Sequence, residues 1–538
     1  MSVVFSLNPF AKLNLPNALQ VFKTPFFNLL GDPLQVVLFL GFFVVAFVIS
    51  LLNAPPKINE KKDQVKMLLF LVVLLAFAIN LFQVIKAQSV NQKTTQASSS
   101  YLAPFSYSWY ATVETLKQPK DALFGVGPDN FSTVYNRIKP ITYNQTPLWN
   151  SGGLSQSRSY ILGLWAETGL LGLLALGLIF LVTVKELLSL SEKGKPSYLL
   201  YLTGYLFAVM FFFPPSLPVV FLFFLTLATI THEKNSLSAN DTSGKIVFHL
   251  PDLPLIYGGV SILLVILIIV ATYLLGRSYV AELYFKKSLD GFAKNNAKIV
   301  YDNMRIAVVQ NPFIERFRLN FAQVNLLIAN NIASKPQDKL SDQDRQNITQ
   351  AIQAAISEAK AAVALNQQKS TNWENLALIY RNILNIAQGA EIWAISSYQR
   401  AILLDPQNPM YRLNLGGIYY SLGSYDEAIK FFEQAVVLKP DWANAHYNLA
   451  WTTYKKNDFV RAVNELQNAI MFIDPQKDRV DFEKAQSELE MFKTKLPKQE
   501  QQSTGSAEVK PSQLSLPTSA PKVEPKIKLP KTASPEAK

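Results

Sequence analysis

The sequence predicts an all-α protein built from a polytopic helical membrane domain, an α-solenoid and a disordered tail. Three observations lead to this fold class. Apolar runs long enough to cross a bilayer are confined to the part of the chain before residue 277. The region after it repeats a pattern of small and large apolar residues with a period of 34. The last residues, 497–538, are rich in Pro, Lys and Ser and contain no aromatic residue.

The apolar runs predict membrane-spanning helices, because about 20 apolar residues in a helix cross the hydrocarbon core of a bilayer. Four segments meet this requirement on their own: 34–53, 67–86, 160–184 and 254–276. A fifth segment, 198–231, is interrupted by Pro214, Pro215 and Pro218. It predicts either one broken span or a hairpin of two short helices.

The distribution of lysine predicts the orientation. The short loops 54–66, 185–197 and 232–253 all carry lysines, which favours the cytoplasmic side. Placing all three loops inside requires the hairpin and makes six spans. Segment 88–159 and everything after residue 277 then lie outside a plasma (inner) membrane. The N-terminus also lies outside, which suggests a truncated or split membrane domain.

The composition excludes some classes of function and leaves others open. The chain has no cysteine, so it forms neither disulfides nor thiolate metal sites. The net charge of +12 is concentrated in loops next to spans and in the tail. We interpret this charge as the usual positive-inside bias of a membrane protein and expect no nucleic-acid partner.

The repeats after residue 277 follow one ladder of residues. The clearest copy contains Leu415, Gly416, Tyr419, Ala428, Phe432, Ala435 and Pro440. The ladder recurs one period later at Leu449, Ala450, Thr453, Ala462, Leu466 and Ala469. It also recurs one period earlier at Ala394, Tyr398, Ala401 and Pro406. In that earlier copy, five extra residues separate the two helices. This spacing is typical of tetratricopeptide (TPR) repeats, in which small residues mark the helix crossings.

The repeat pattern predicts a TPR solenoid over residues 278–495, with diverged helices at 297–312 and 351–366. Such a solenoid offers a groove for a peptide or a partner domain. It could equally act as a spacer, because a fold does not define a function. The tail (496–538) is predicted to be disordered. The other parts are 1–87 with two spans, an extracytoplasmic loop at 88–159, and further spans at 160–277.

The loop before the third strong span carries the sequence Gly-Val-Gly-Pro-Asp-Asn-Phe at residues 125–131. The two glycines predict a tight turn, and Pro128 with Asp129 predicts the start of a helix. The span that closes the loop contains Glu167 within the sequence Glu-Thr-Gly-Leu-Leu-Gly.

This order of motifs resembles the O-antigen ligase and polymerase family of bacterial membrane proteins. There a glycine turn opens a large outside loop, the loop closes on a span with a similar acidic motif, and many members carry TPR repeats after the last span. The resemblance implies transfer of a glycan from a polyprenyl-diphosphate carrier to a hydroxyl acceptor, in cell-surface polysaccharide biosynthesis. It implies neither a nucleotide donor nor a metal or other cofactor.

The chemistry implied by the resemblance needs cations at the departing diphosphate and a base for the acceptor hydroxyl. The cations in the loop are Arg137, Lys139 and Arg158. Asp129, Glu167 and, less directly, Glu114 are the carboxylates available as bases. Other roles are open for each: Asp129 as a helix cap, Glu167 as an anchor of its span, and the three cations as contacts to lipid headgroups.

The loop also departs from the family pattern. A His-Asn pair that precedes the span in the family corresponds to Ser157 and Arg158 here, and none of the three histidines lies in the loop. A second hypothesis is therefore a membrane-anchored TPR scaffold without catalysis. A transporter or channel is a third, disfavoured because the spans hold few ionisable residues away from their ends. The loop aromatics, including Trp109 and Tyr110, are expected to form an interfacial belt.

Overall fold

The computed structural model describes residues 30, 32–53, 56, 60–90, 104–146, 148–150, 154–192, 198–237, 254–336, 339–384 and 386–496. All regular elements in these ranges are helical. The predicted tail lies outside the described residues from 497 onward.

The N-terminal half contains apolar helices with a loop inserted between the second and the third. The first two are α1 (Pro33–Asn53) and α2 (Lys61–Val90). The loop holds α3 (Phe105–Thr115), α4 (Pro119–Phe124), α5 (Phe131–Ile138) and a 3₁₀ helix (Ile141–Gln145). The later apolar helices are α6 (Tyr160–Glu192), α7 (Tyr198–Phe212), α8 (Leu217–Leu237) and α9 (Pro254–Ala293).

Five helices of the described chain, α1, α2, α6, α8 and α9, are long and apolar enough to cross a membrane. The segment for which the sequence left two possibilities contains two helices, α7 and α8, so it is a hairpin. Leu199 at the start of α7 and Ile230 near the end of α8 pack in one cluster with the end of α6. The two helices are therefore antiparallel.

The turn of this hairpin lies at the same end of the bundle as the starts of α1 and α6. The backbone amide of Tyr160 donates to the carbonyl of Phe213 at 3.1 Å, and the side-chain amide of Gln35 donates to the carbonyl of Pro214 at 2.8 Å. At the other end of the bundle, Lys234 near the end of α8 forms an ion pair with Glu186 near the end of α6. Helix starts and ends thus alternate between the two ends of the bundle, as the prediction of six spans requires. Which side of a membrane each end faces stays a prediction.

The C-terminal half is a TPR solenoid of helix pairs. Its helices are α10 (Ala297–Gln310), α11 (Glu315–Ala333), α12 (Asp342–Leu365), α13 (Ser370–Asn382), α14 (Ala390–Leu404), α15 (Pro409–Ser421), α16 (Tyr425–Leu438), α17 (Ala443–Lys455), α18 (Phe459–Met471) and a final helix, α19 (Arg479–Lys493). The ladder alanines, among them Ala394, Ala428 and Ala462, are fully buried. They let paired helices approach closely, as the sequence predicted.

The long helix α9 connects the two halves. Its apolar first part has no buried residue in the window that could cross a membrane, whereas its last turns pack against α10. Arg277 donates to the carbonyl of Val309 at 3.1 Å, and Asn311 donates to the hydroxyl of Ser278 at 3.0 Å. The turn that follows α10 therefore lies level with the end of the apolar part of α9.

Candidate functional site

The glycine turn of the loop and the acidic motif of α6 interlock through their backbones. Gly125 and Gly127 both have positive φ (71° and 92°), which confirms the predicted turn. The amide of Val126 donates to the carbonyl of Ala166 at 3.0 Å, and the amide of Gly127 donates to that of Glu167 at 2.9 Å. A Cβ on Gly125 would lie 2.2 Å from the carbonyl carbon of Glu167, so this position needs glycine.

These contacts are available because α6 is kinked at Gly169, which has φ 69° and ψ −166°. In a regular helix the carbonyls of Ala166 and Glu167 would accept from amides four residues further on. The kink breaks that pattern, and the glycine turn supplies the replacement donors. Unsatisfied backbone groups are costly in apolar surroundings, so the two motifs stabilise each other.

Glu167 also holds the start of α5. Its carboxylate accepts hydrogen bonds from the backbone amides of Asp129 and Phe131. Asp129, expected as a helix cap, is not the N-cap: it has φ 61° and precedes Asn130, the N-cap residue. The cap prediction is therefore wrong for Asp129, because a carboxylate from α6 reaches the first amides of α5 instead. The exposed Asp129 side chain stays a candidate base.

The three cations of the loop do not come together. The Arg137 guanidinium donates to the side chain of Gln368 in the solenoid at 2.7 Å. Lys139 is buried, and its Nζ lies 2.8 Å from Oδ1 and 2.9 Å from Oδ2 of Asp405. Arg158, in contrast, lies next to the apolar helices, with its guanidinium 5.3 Å from the centre of the Phe213 ring. In this structure, therefore, no shared cradle forms from the three.

The loop docks on three equivalent positions of successive repeats. Asn366, Asp405 and Lys439 are the C-cap residues of α12, α14 and α16. Asn366 donates to the side chain of Asn130 at 2.7 Å, Asp405 binds Lys139, and the ammonium of Lys439 donates to the carbonyl of Asn144 at 2.9 Å. These turns form one edge of the solenoid, which we call the turn edge.

Further contacts strengthen the last of these three points. The Asn144 amide donates to the carbonyls of Gln407 (2.8 Å) and Leu438 (3.0 Å), in neighbouring turns. Trp149 packs edge-on against Trp442 with ring centres 5.0 Å apart. The sequence did not single out Asn144 or its partners, since nothing in a local pattern marks a residue that meets a turn almost 300 positions away.

Behind the docking point, a polar cluster lies between the repeats. Burial, together with the negative charge of Asp405, raises the pKa of Glu374 to about 7, although a hydrogen bond from Tyr411 and the charge of Arg381 oppose the rise. Burial likewise raises the pKa of Asp405, while the neighbouring Lys139 lowers it. The Lys139 ammonium therefore compensates negative charge that the solenoid would otherwise bury alone.

Arg158 lines a cavity of about 560 Å³ between α1, α2 and α7. Its walls are otherwise almost entirely apolar, with Leu38, Phe77, Val84 and Val209 among the lining residues. Arg158 is therefore the cation of an otherwise apolar cavity, and its guanidinium is planar. The described residues contain no group of three or more acidic, His or Cys side chains placed to hold a metal ion.

The loop aromatics that were expected to form an interfacial belt have different surroundings, and the belt itself stays a prediction. Trp109 and Tyr110 of α3 are exposed, and Trp109 packs on Trp165 of α6. Tyr143 is buried in the loop core instead, and Trp149 contacts the solenoid. Tyr101, expected in the same belt, lies outside the described residues.

Comparison with known proteins places the similarity in the repeats. A family model described as TPR repeat matches residues 416–457. The TPR and J domain-containing co-chaperone DNJ1 of Cryptococcus neoformans is 33% identical over 82 residues, which cover 15% of this chain and 16% of the co-chaperone. The TPR repeat-containing thioredoxin TTL4 of Arabidopsis thaliana is 42% identical over 57 residues, 11% of this chain and 8% of that protein. The chain thus spans less than a fifth of the length of either relative.

Among solved structures, the MamA protein is similar over 37% of this chain and 94% of its own, with 18% identity and a TM-score of 0.29. The family model and the two relatives show that the chain contains C-terminal TPR repeats, and such repeats indicate protein–protein interaction. None of these three proteins is described as an O-antigen ligase.

Proposed function

We propose that this protein acts on a lipid-linked glycan in a plasma membrane, as the resemblance to O-antigen ligases and polymerases implies. The observation that carries the proposal is the position of Arg158 in an apolar cavity between α1 and α2, which are long enough to cross a membrane, and the shorter apolar helix α7. A polyprenyl chain fits the apolar walls by its chemistry, and its diphosphate needs a cation at the end of the chain. Arg158 meets that need with two parallel donors.

The roles of the other predicted site residues follow from their contacts. Arg137 and Lys139 hold the solenoid, and Glu167 holds the glycine turn and α5, so we assign them to the framework of the site. Asp129 is the carboxylate that we propose as the proton acceptor for the incoming hydroxyl. The repeats, held beside the loop, would bind the acceptor or a protein partner.

The test is transfer of glycan from a polyprenyl-diphosphate donor by purified protein. A charge-assisted hydrogen bond contributes about 1.5–3 kcal/mol, so Arg158→Gln should lower kcat/KM by roughly 10- to 100-fold. Asp129→Asn should lower kcat more than KM. Arg316→Gln is the control, because Arg316 lies outside the loop and its ion pair with Glu282 is about half exposed. Equal activity of Arg158→Gln and wild type would refute the role of Arg158.

A non-catalytic membrane-anchored TPR scaffold is the second candidate. It is favoured by the use of Arg137, Lys139, Asn130 and Asn144 in docking, since these polar residues of the loop face the repeats. A scaffold predicts no turnover from folded wild-type protein, with acceptor and candidate partners present. It also predicts that Lys139→Met, which loosens the repeats, impairs function in cells while Arg158→Gln does not.

A further inference from the structure

The turn edge of the solenoid carries a row of exposed apolar residues. The row occupies the last or second-last position of the second helix in each of five pairs: Val309, Ala364, Leu403, Val437 and Met471. Its last three members are spaced by the repeat period of 34. Leu403, Val437 and Met471 are each 67–69% exposed. Apolar residues that recur in register on a surface indicate a contact surface.

The first member of this row lies at the level where α9 leaves its apolar part. The carbonyl of Val309 accepts from Arg277, the residue that follows the apolar run of α9. If α9 crosses a membrane, Val309 stands at the headgroup level, and so does the exposed Phe313 beyond the same turn. The beginning of the row is thus fixed by direct contacts to the span.

The loop holds the remaining part of the turn edge at a similar level. It packs beside the first turns of α6: Thr112 of α3 donates to the carbonyl of Leu162 at 3.1 Å, and Val126 donates to that of Ala166. The loop therefore lies alongside the end of a span. Because the loop binds the C-caps of α12, α14 and α16, the row next to these C-caps lies close to the same plane.

We propose that this row is a membrane-contact surface, through which the turn edge of the solenoid rests on the lipid headgroups and upper acyl chains. The occupant is a lipid surface because the row is continuous with the end of a span and its residues are apolar at every repeat. Contact with lipid would remove these side chains from water and orient the groove of the repeats relative to the membrane. The inference rests on the membrane insertion of α9, which belongs to the proposed function, and on no catalytic step.

The chain lacks cysteine, so single cysteines report on single positions. We would attach an environment-sensitive fluorophore to Leu403→Cys and to Ile392→Cys in full-length protein in lipid nanodiscs. The two residues lie on one face of α14, and are 69% and 67% exposed. They are separated by about 16 Å, eleven residues of helix. Val460→Cys and Met471→Cys repeat the comparison on α18.

Two quenchers distinguish the outcomes: a lipid with a nitroxide near its headgroup, and aqueous iodide. We expect the nitroxide lipid to quench labels at 403 and 471 at least threefold more than labels at 392 and 460, with iodide showing the reverse order. Leu274→Cys, in the apolar part of α9 and three residues before Arg277, reports membrane insertion independently of the row.

Three results would overturn the inference. Iodide quenching that is equal at both ends of each helix would show that the row faces water. Protection of the row from both quenchers would show that a protein, or a second copy of the chain, covers it. A label at 274 that the nitroxide lipid fails to quench would show that α9 is not inserted in the membrane, and this failure is distinguishable from the other two.

Discussion

The buried pair between Lys139 and Asp405 should control whether the repeats stay docked on the loop. Both side chains have an exposed fraction of 0%. Removing one partner of a buried ion pair costs about 3–5 kcal/mol, because the remaining charge stays buried without compensation. We therefore choose Lys139→Met, which keeps most of the side-chain volume and deletes the charge.

The magnitude has an upper limit set by the architecture. The two residues belong to parts of the chain that can separate, so the solenoid can undock and let water reach Asp405. The stability that the protein loses in Lys139→Met therefore cannot exceed the free energy of docking. A loss of about 3 kcal/mol corresponds to roughly a 100-fold rise in the undocked fraction.

Hydrogen exchange of the full-length protein in nanodiscs measures this fraction. The amides of Lys139, Tyr143 and Thr146 make local hydrogen bonds in the docked loop, and their exchange reports its opening. We expect Lys139→Met to speed their exchange by roughly 100-fold. Arg316→Met is the control: its ion pair with Glu282 is about half exposed, and such pairs contribute about 0–1 kcal/mol.

The double variant Lys139→Met/Asp405→Leu makes the test specific for the ion pair. Replacing both charges by apolar groups is often neutral, so the double variant should recover most of the lost protection. Exchange within threefold of wild type in Lys139→Met would refute the reasoning. So would a double variant that loses as much protection as the two single changes together.

Three further predictions concern glycines and one buried carboxylate. Gly169→Ala should lower the melting temperature by several degrees, because its Cβ would lie 2.4 Å from the backbone of α4, whereas Gly177→Ala, with no atom within 4 Å, should not. Gly416→Ala should lower the free energy of unfolding in chemical denaturation by about 1–3 kcal/mol, since its Cβ would lie 2.7 Å from a buried phenylalanine ring. Gly417→Ala, whose Cβ would meet no atom within 4 Å, should stabilise the helix by up to about 1 kcal/mol. The raised pKa of Glu374 means that the folded state favours its protonated form, so the free energy of unfolding should fall by about 3 kcal/mol as pH rises from 4.5 to about 7. Glu374→Gln should flatten this pH dependence in melting curves. Equal slopes in both proteins would contradict the assignment.

The predictions that held from sequence depend on neighbours along the chain. The ladder of alanines and glycines predicted the helix pairs because each small residue makes room for the helix next to it in sequence. Gly125 and Gly127 adopt the positive φ that their pattern predicted, since backbone freedom is a property of the residue itself. The hairpin at 198–231 was one of two possibilities, and its prolines alone could not choose between them.

The site depended on contacts that no local pattern contains. Asp129 was expected to cap α5, but Glu167 of α6, which is 36 residues after Phe131, reaches those amides instead. Lys139 was expected at a diphosphate, yet its partner lies 266 positions away, in a repeat whose turn looks ordinary in sequence. Local backbone preferences and repeat spacing thus determined the helices and the solenoid from sequence alone. Only the tertiary structure decided which charges meet, because pairing between distant segments depends on how whole domains pack.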